Sequence, residues 1–175
     1  MVASGKKRQN SRPQAPRDSE STWPAAERWE RIHVDVAVLD GKPFFVMCNA
    51  GSSWIEADFC SGQTATAIKC LSRACRCSGL CKTVVSDTGP AFISREFKDL
   101  MAQRGISAVT TGFYCPFSNS QAENAVRLVK EQYGRTPVAF GDSRMQKAVA
   151  MLRLVPGGGA RISRRHIGCW GGSRL

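Results

Sequence analysis

The chain has 175 residues, of which 42% are hydrophobic, so it can bury the core of about one globular domain. Its 25 Lys and Arg against 14 Asp and Glu give a formal net charge of +11, which favours a polyanionic partner, nucleic acid before an anionic membrane surface. No apolar run approaches about 18 residues and no apolar segment follows the basic start. We therefore expect no spanning helix and no secretion signal, and a soluble intracellular protein.

The chain starts with a polar arm, which three short strands follow. Residues 1–22 are rich in Lys, Arg, Ser, Pro and Gln, and this composition predicts a disordered basic arm. Residues 31–38, 43–48 and 53–60 are runs rich in Val, Ile and Phe, separated by the turn segments "LDGKP" and "NAGS". Because these connections are short enough for hairpins, the three runs predict an antiparallel meander.

Helices and strands alternate after the meander. The segment "SGQTATAIKCLSRACRCSG" has helical apolar spacing and ends near Gly79, and "KTVVSD" then predicts a strand. A helix closed by Gly105, the strand "ISAVTT" and the helix "NSQAENAVRLVKEQYG", closed by Gly134, follow in order. This succession implies an α/β fold in which helices flank a mixed five-stranded sheet, made of three antiparallel hairpin strands followed by alternating helix and strand.

The pattern divides the chain into one domain and its flanks. The domain is expected over residues 23–137, and an extra helix within residues 138–155. Residues 156–175 are glycine-rich and basic without periodicity, which predicts a disordered tail.

The eight cysteines are too few for a disulfide scaffold, so we expect free thiols. Four of them, Cys70, Cys75, Cys77 and Cys81, lie close together in the sequence. Their intervals do not form the paired C-x₂-C units of structural zinc sites. Three of them fall on a predicted helix, where a thiol behaves as a small hydrophobe, so packing is favoured over zinc binding.

Three acidic residues are candidates for a catalytic site. Asp35 lies inside the strand "IHVDVAV", Asp87 ends the strand "VVSD", and Glu123 begins the last long helix with thirty-five residues between it and Asp87. Taken singly, Asp35 could be a hydrogen-bonded core residue and Asp87 an ordinary turn residue. If the three converge, their repulsion calls for a cation, and carboxylate oxygens suit Mg²⁺ or Mn²⁺. The set therefore predicts a metal site for two ions about 3.5 to 4 Å apart that acts in phosphoryl transfer.

The helix of Glu123 carries two cations on the same stripe. Arg127 and Lys130 follow Glu123 by four and seven residues, so all three share one helix face. Such a stripe would suit a helix lying against a phosphate backbone. The alternative is a solvated face with an ordinary pair between Glu123 and Arg127.

These motifs resemble the integrase catalytic core of retroviruses and gypsy-type LTR retrotransposons. The resemblance is carried by "WERIHVDVAV", "SSWIEA", "VVSDTGPAFISREFKDLMAQRGI" and "YCPFSNSQAENAVRLVKEQYG" over about residues 23 to 135. It implies the ribonuclease-H-like fold and a catalytic, metal-binding triad of Asp35, Asp87 and Glu123. It also implies two Mg²⁺ ions, trimming of the 3′ ends of element DNA, joining of those ends to target DNA, a homo-oligomer and a nuclear location.

The resemblance further implies a DNA-contacting loop before the triad Glu, here residues 114–121. The residues expected to bind nucleic acid are Tyr114, Ser118, Asn119, Gln121, Arg127 and Lys130. The loop departs from the family pattern, because Cys115 stands where the family has His and Ser120 where it has Gly. Loss of that glycine is expected to stiffen the loop. In the first hairpin Asn49 stands where the pattern has Asp, and Ser53 where it has Lys or Arg.

Two functions follow from this pattern. The first is a metal-dependent polynucleotidyl transferase encoded as part of a retrotransposon polyprotein, which the complete triad favours. The second is a non-catalytic nucleic-acid-binding relic or domesticated copy. The loop substitutions favour it, as does the lack of a counterpart to the family's upstream zinc domain.

Overall fold

The computed structural model describes residues 23–111 and 119–154. The strands are β1 (Arg31–Leu39), β2 (Lys42–Asn49), β3 (Ile55–Phe59), β4 (Thr83–Ser86) and β5 (Ser107–Thr110). The helices are α1 (Gln63–Ser78), α2 (Pro90–Ile93), α3 (Arg95–Gln103), α4 (Ser120–Arg135) and α5 (Arg144–Leu154), with a 3-10 segment at Val138–Ser143. The predicted arm and tail lie outside the described residues. Within the described ranges, no helix is long and apolar enough to cross a membrane.

The five strands form one sheet in the order β3-β2-β1-β4-β5. The pairs β1 with β2 and β2 with β3 are antiparallel, whereas β1 with β4 and β4 with β5 are parallel. The predicted meander and the mixed five-stranded sheet are therefore confirmed. The helices α1 and α3 act as crossovers that allow the parallel pairs.

Several element boundaries differ from the sequence prediction in detail. Gly79 ends α1 with a φ of 90°, as expected, because glycine tolerates this conformation. The prediction that Gly134 ends α4 is wrong, because the helix continues to Arg135 and is capped by Thr136. A single glycine inside a helix lowers its stability by only about 1 kcal/mol relative to Ala, which packing can offset. The short helix α2 was not predicted, and it begins at Pro90, a residue suited to a first helical position.

Two apolar clusters hold the helices on the two faces of the sheet. One joins Ile32, Val34, Phe45 and Met47 to α1, α2 and α3, and the other joins Phe44, Val46 and Cys48 to α4 and α5. Successive residues of a strand point to opposite faces, and this explains why neighbouring residues of β2 serve different clusters. The same alternation in β1 places His33, Asp35 and Ala37 on the face that α4 covers.

The helix α5 is anchored to β3 by Arg153, so the extra helix expected within residues 138–155 is an integral part of the domain. The guanidinium of Arg153 donates to the carbonyl oxygen of Ile55 at 2.6 and 2.8 Å and stacks 4.1 Å from the centroid of Trp54. Its pKa is lowered to about 10 by burial, while the nearby Glu56 carboxylate opposes that change. Met145 and Val149 complete the attachment by packing into the core.

A buried network of hydrogen bonds connects the start of α4 to β1. Arg31 Nε donates to His33 Nε2 at 3.3 Å, and His33 Nδ1 lies 3.4 Å from Asn119 Oδ1. Asn119 Nδ2 donates to the carbonyl oxygen of Val34 at 3.1 Å. An Nδ1-protonated imidazole satisfies both contacts of His33. Trp23 packs at the Arg31 end of this network: the Arg31 guanidinium lies over its ring, and His33 meets that ring edge-on.

The burial of His33 in this hydrogen-bond network predicts that acid lowers the stability of the fold. Burial lowers the pKa of His33 from 6.5 to about 4, so the unfolded chain takes up the proton more readily than the folded protein. The stabilisation is fully present above pH 6.5 and is lost as the pH falls from there toward 4. Well below pH 4, the loss in the free energy of unfolding reaches roughly 3 kcal/mol. Urea unfolding at a series of pH values measures it.

The matched variant for this measurement is His33→Gln, which does not titrate. We expect its free energy of unfolding to fall less steeply over the same pH interval. Carboxylates and His166 are shared by both proteins, so their contributions cancel in the difference. Equal slopes for the two proteins would show that His33 is not the group responsible.

Candidate active site

Asp35 is the central residue of the candidate site. It lies in β1 opposite Val46, is half-buried, and its Oδ1 accepts a 2.7 Å hydrogen bond from the backbone N–H of Val36. Burial raises the pKa of the Asp35 carboxyl, and the charges of Asp87 and Glu123 raise it further. The Val36 N–H and the ammonium of Lys130 oppose that rise. Asp87 and Glu123 are therefore near enough to Asp35 for their charges to act on its carboxyl.

Asp87 reaches this place through the parallel pairing of β4 with β1. The last pair of this ladder is His33 with Val85, and Asp35 and Asp87 each follow two residues later in the same direction. Asp87 is exposed just after β4, and its Oδ1 accepts a 2.9 Å hydrogen bond from the N–H of Gly89. A Cβ at Gly89 would lie 2.8 Å from that oxygen, so a side chain at this position would displace the Asp87 carboxylate from its hydrogen bond.

Glu123 reaches the site from the first turn of α4. The opposite face of α4 is buried through Ala122, Ala125 and Val129, which fixes the helix against the sheet. Asn119 precedes Glu123 by about one helical turn, and its hydrogen bond to Val34 holds the start of α4 beside the residue before Asp35. The exposed Glu123 side chain is therefore delivered to the side of β1 that carries Asp35.

The three carboxylates have the chemistry that a hard divalent cation requires, but their side chains are not arranged as a set of metal ligands. Three carboxylates supply oxygen ligands of the kind Mg²⁺ and Mn²⁺ prefer, and a cation would relieve the repulsion that raises the pKa of Asp35. Within residues 23–111 and 119–154, no three His, Cys, Asp or Glu side chains are arranged to hold a metal ion. Binding thus requires the exposed side chains of Asp87 and Glu123 to move toward Asp35.

Residues expected to contact DNA fall in different environments. Tyr114 and Ser118 lie outside the described residues. Asn119 is buried, with 6% of its surface exposed, and its amide binds β1. Gln121 is half-buried, and its Oε1 has no hydrogen-bond partner in the described part of the chain.

The two cations of α4 also differ in their surroundings. Arg127 pairs with Glu131 at 2.7 Å and donates to Asn124 at 2.8 Å, so the ion pair it makes is not with Glu123. Lys130 is exposed, and its charge acts on Asp35. Of the two cations on this helix face, Lys130 is the one whose charge acts on the pKa of Asp35.

Sequence reasoning missed the positioning role of His33 and Arg31. The signal was available in "RIHVDV", because two-residue spacing puts Arg31, His33 and Asp35 on one face of the strand. What the sequence could not reveal is that the side chain of Asn119 meets His33, since eighty-six positions separate the two residues.

Comparison of sequences finds relatives that match a little over half of the chain. An uncharacterised protein of Caenorhabditis elegans is 32% identical over 111 residues, which cover 62% of this chain and 9% of that protein. The Pol polyprotein of feline endogenous virus ECE1 is 33% identical over 116 residues, covering 64% of this chain and 11% of the polyprotein. The Gag-Pol polyprotein of baboon endogenous virus is also 33% identical over 116 residues, covering 64% of this chain and 7% of that polyprotein. The chain therefore spans about a tenth of the length of these relatives. No protein-family model matches it.

Comparison of structures identifies the fold. The catalytic core domain of BIV integrase superposes with a TM-score of 0.61 at 19% identity, covering 75% of this chain and 90% of that domain. A chain of the simian T-cell lymphotropic virus intasome superposes with a TM-score of 0.65 at 18% identity, covering 74% of this chain and 50% of its own length. With retroviral Pol polyproteins among its relatives and integrase chains among its structural neighbours, this chain has the ribonuclease-H-like fold of integrase catalytic cores, and the resemblance that its motifs predict is confirmed.

Proposed function

We propose that this chain is a metal-dependent polynucleotidyl transferase of the integrase type. It would trim the 3′ ends of element DNA with water and join the resulting hydroxyls to target DNA. The proposal is supported by the positions of Asp87 just after β4 and of Glu123 in the first turn of α4, and by the effect of both charges on the pKa of the half-buried Asp35. The relationship to Pol polyproteins agrees with DNA integration as the process served.

In this proposal Asp35 differs from Asp87 and Glu123 in how freely its side chain can move. Asp35 is fixed by its strand, whereas Asp87 and Glu123 are exposed and can adjust to a ligand. The three carboxylates would hold two divalent cations, which activate the attacking oxygen and stabilise the leaving oxygen of an in-line phosphoryl transfer. Burial and the neighbouring carboxylates raise the pKa of Asp35, and a bound cation would oppose that rise by favouring the ionised carboxylate.

The partners proposed are DNA and further copies of the same chain. The net charge of +11 supports DNA binding, because Lys and Arg that neutralise phosphates release counterions. The exposed Lys130, whose charge acts on Asp35, would bind a phosphate group of the substrate. A homo-oligomer and a nuclear location, where target DNA would be met, are parts of the same proposal.

The first prediction concerns catalysis by the triad. We expect the wild-type chain to join end-matched labelled DNA in the presence of Mg²⁺ or Mn²⁺, and Asp35→Asn, Asp87→Asn and Glu123→Gln each to reduce the yield by at least about 100-fold. The loss follows because each change removes a negative charge that a bound cation requires. A strand-transfer assay resolved by gel electrophoresis measures the yield.

The matched control is Glu96→Gln, which removes an exposed carboxylate from α3, away from the triad. We expect it to keep wild-type yield. If wild type and Asp87→Asn are equally inert while both still bind DNA, the transferase proposal fails and the chain is a non-catalytic nucleic-acid-binding protein.

A second prediction concerns cation binding in the absence of DNA. A cation held by the folded protein and not by the unfolded chain stabilises the fold by about 1.4 kcal/mol at a concentration ten times its dissociation constant. We expect Mg²⁺ or Mn²⁺ to raise the unfolding temperature of the wild type and of Glu96→Gln, with little effect on Asp87→Asn. Equal shifts in all three proteins would show that the cation binds elsewhere.

A third prediction separates two roles for Asn119. If its buried amide positions α4, Asn119→Ala should reduce the free energy of unfolding by about 1 to 3 kcal/mol, since Val34 and His33 lose their partner. Strand-transfer yield per folded molecule should also fall, because Glu123 is no longer held in place. Gln103→Ala, an exposed change at the end of α3, is the control for both measurements. Unchanged stability combined with weaker DNA affinity would instead identify Asn119 as a DNA contact.

A further inference from the structure

A cavity of about 250 Å³ opens at the edge of the sheet, beside β3. In the described part of the chain β3 is an edge strand, with α1 packed on one face of the sheet and α5 on the other. Residues of all three elements line the cavity. Pockets for drug-sized ligands measure roughly 300 to 1,000 Å³, so this cavity suits a smaller molecule.

The backbone of β3 turns a hydrogen-bond donor toward the cavity. Asn49 N–H donates to the carbonyl oxygen of Trp54 at 2.9 Å, so Trp54 faces β2. Residues of an antiparallel ladder alternate, and the next residue, Ile55, faces the open edge, where its carbonyl oxygen accepts from Arg153. Ala57 follows two residues later and lines the cavity, so its N–H also faces this edge.

Two guanidinium groups and one carboxylate provide the charge of the cavity. Arg73 Nη2 lies 3.4 Å from Glu56 Oε2, and Arg153 Nη2 lies 4.0 Å from Glu56 Oε1. The side chains of Glu56 and Arg153 are only 6% and 11% exposed, so water screens their charges weakly. Among the charged side chains that line the cavity, one positive charge is therefore in excess.

The buried guanidinium of Arg153 is affected by this excess. Burial lowers its pKa to about 10 and the charge of Arg73 lowers it further, whereas the carboxylate of Glu56 opposes both effects. An anion in the cavity would act in the same direction as Glu56. The remaining wall is apolar, since Val149 and Ala150 of α5 line it.

We propose that this cavity binds a small carboxylic acid in its ionised form, with an apolar body attached to the carboxylate. The carboxylate would accept hydrogen bonds from the guanidinium groups of Arg73 and Arg153, whose planar geometry suits carboxylate oxygens. Ala57 N–H would provide a further, uncharged donor. The apolar body would pack against Val149 and Ala150.

The charge of the cavity favours a monoanion over phosphate. A single negative charge matches the single positive charge in excess. A dianion would exceed it and would be repelled by the Glu56 carboxylate, which lies between the two guanidinium groups. The ligand class is therefore a monocarboxylate.

The cavity is distinct from the candidate active site. Val46 of β2 pairs with Asp35 on one side and with Ala57 on the other. Two strand spacings of about 4.8 Å each therefore separate the backbones of Asp35 and Ala57. The excess charge also differs in sign, because the triad is acidic. Binding of the acid can be tested without DNA or a divalent cation.

Nuclear magnetic resonance of the isotope-labelled full chain tests the proposal. Sodium benzoate is the probe, and sodium chloride keeps the ionic strength constant, because a chain with a net charge of +11 also responds to salt in general. We expect the amide signal of Ala57 to shift and to saturate. Benzamide, which lacks the charge, and phenyl phosphate, a dianion at neutral pH, should bind at least about tenfold more weakly.

A variant that fills the cavity locates the binding. Ala150 is exposed on α5 and lines the cavity, so Ala150→Leu occupies space there without disturbing the core. Ala102→Leu makes the same change at an exposed position of α3. We expect Ala150→Leu to weaken benzoate binding by about tenfold or more, because the added atoms take the place of the ligand, and Ala102→Leu to bind as the wild type does.

A second pair of variants tests the charge. We expect Arg73→Gln to weaken benzoate binding by about tenfold, because one charged donor is lost. Arg76→Gln removes an exposed charge from the same helix and should leave the affinity unchanged. The dispersion of the amide signals establishes that each variant is folded.

Three results would overturn the proposal. The first is an Ala57 signal that does not move with benzoate, or that moves equally with benzamide. The second is equal affinity of Ala150→Leu and Ala102→Leu for benzoate. The third is a set of shifts spread over the surface that rise without saturation, which would identify adventitious anion binding only.

Discussion

The half-buried carboxyl of Asp35 is the feature around which the candidate site is arranged. A strand in the middle of the sheet cannot move its side chains far, so Asp35 is fixed while its two acidic neighbours are exposed. The desolvation that raises its pKa makes the ionised form less favourable than it is in water. The same desolvation strengthens the attraction of that carboxyl for a cation, since water screens the charge less.

Three features of the fold set the positions of the other two acids relative to Asp35. The parallel pairing of β1 and β4 sets the position of Asp87, the apolar face of α4 fixes the helix of Glu123, and Asn119 sets where that helix begins. The first depends on backbone pairing, the second on side-chain burial and the third on a buried hydrogen bond. A change in the second or third would displace Glu123 while the sheet persists, whereas a change in the first would alter the sheet itself.

Much of this arrangement could be predicted from the sequence, and the part that could not has a common cause. Short runs rich in Val, Ile and Phe with short turns between them predict the meander, and helical spacing and closing glycines predict α1, α3 and α4. The motif spacing predicts the triad. The end of α4 beyond Gly134 and the burial of Asn119 were not foreseen, because both depend on contacts with residues distant in sequence. Tertiary packing decides such cases over local preference.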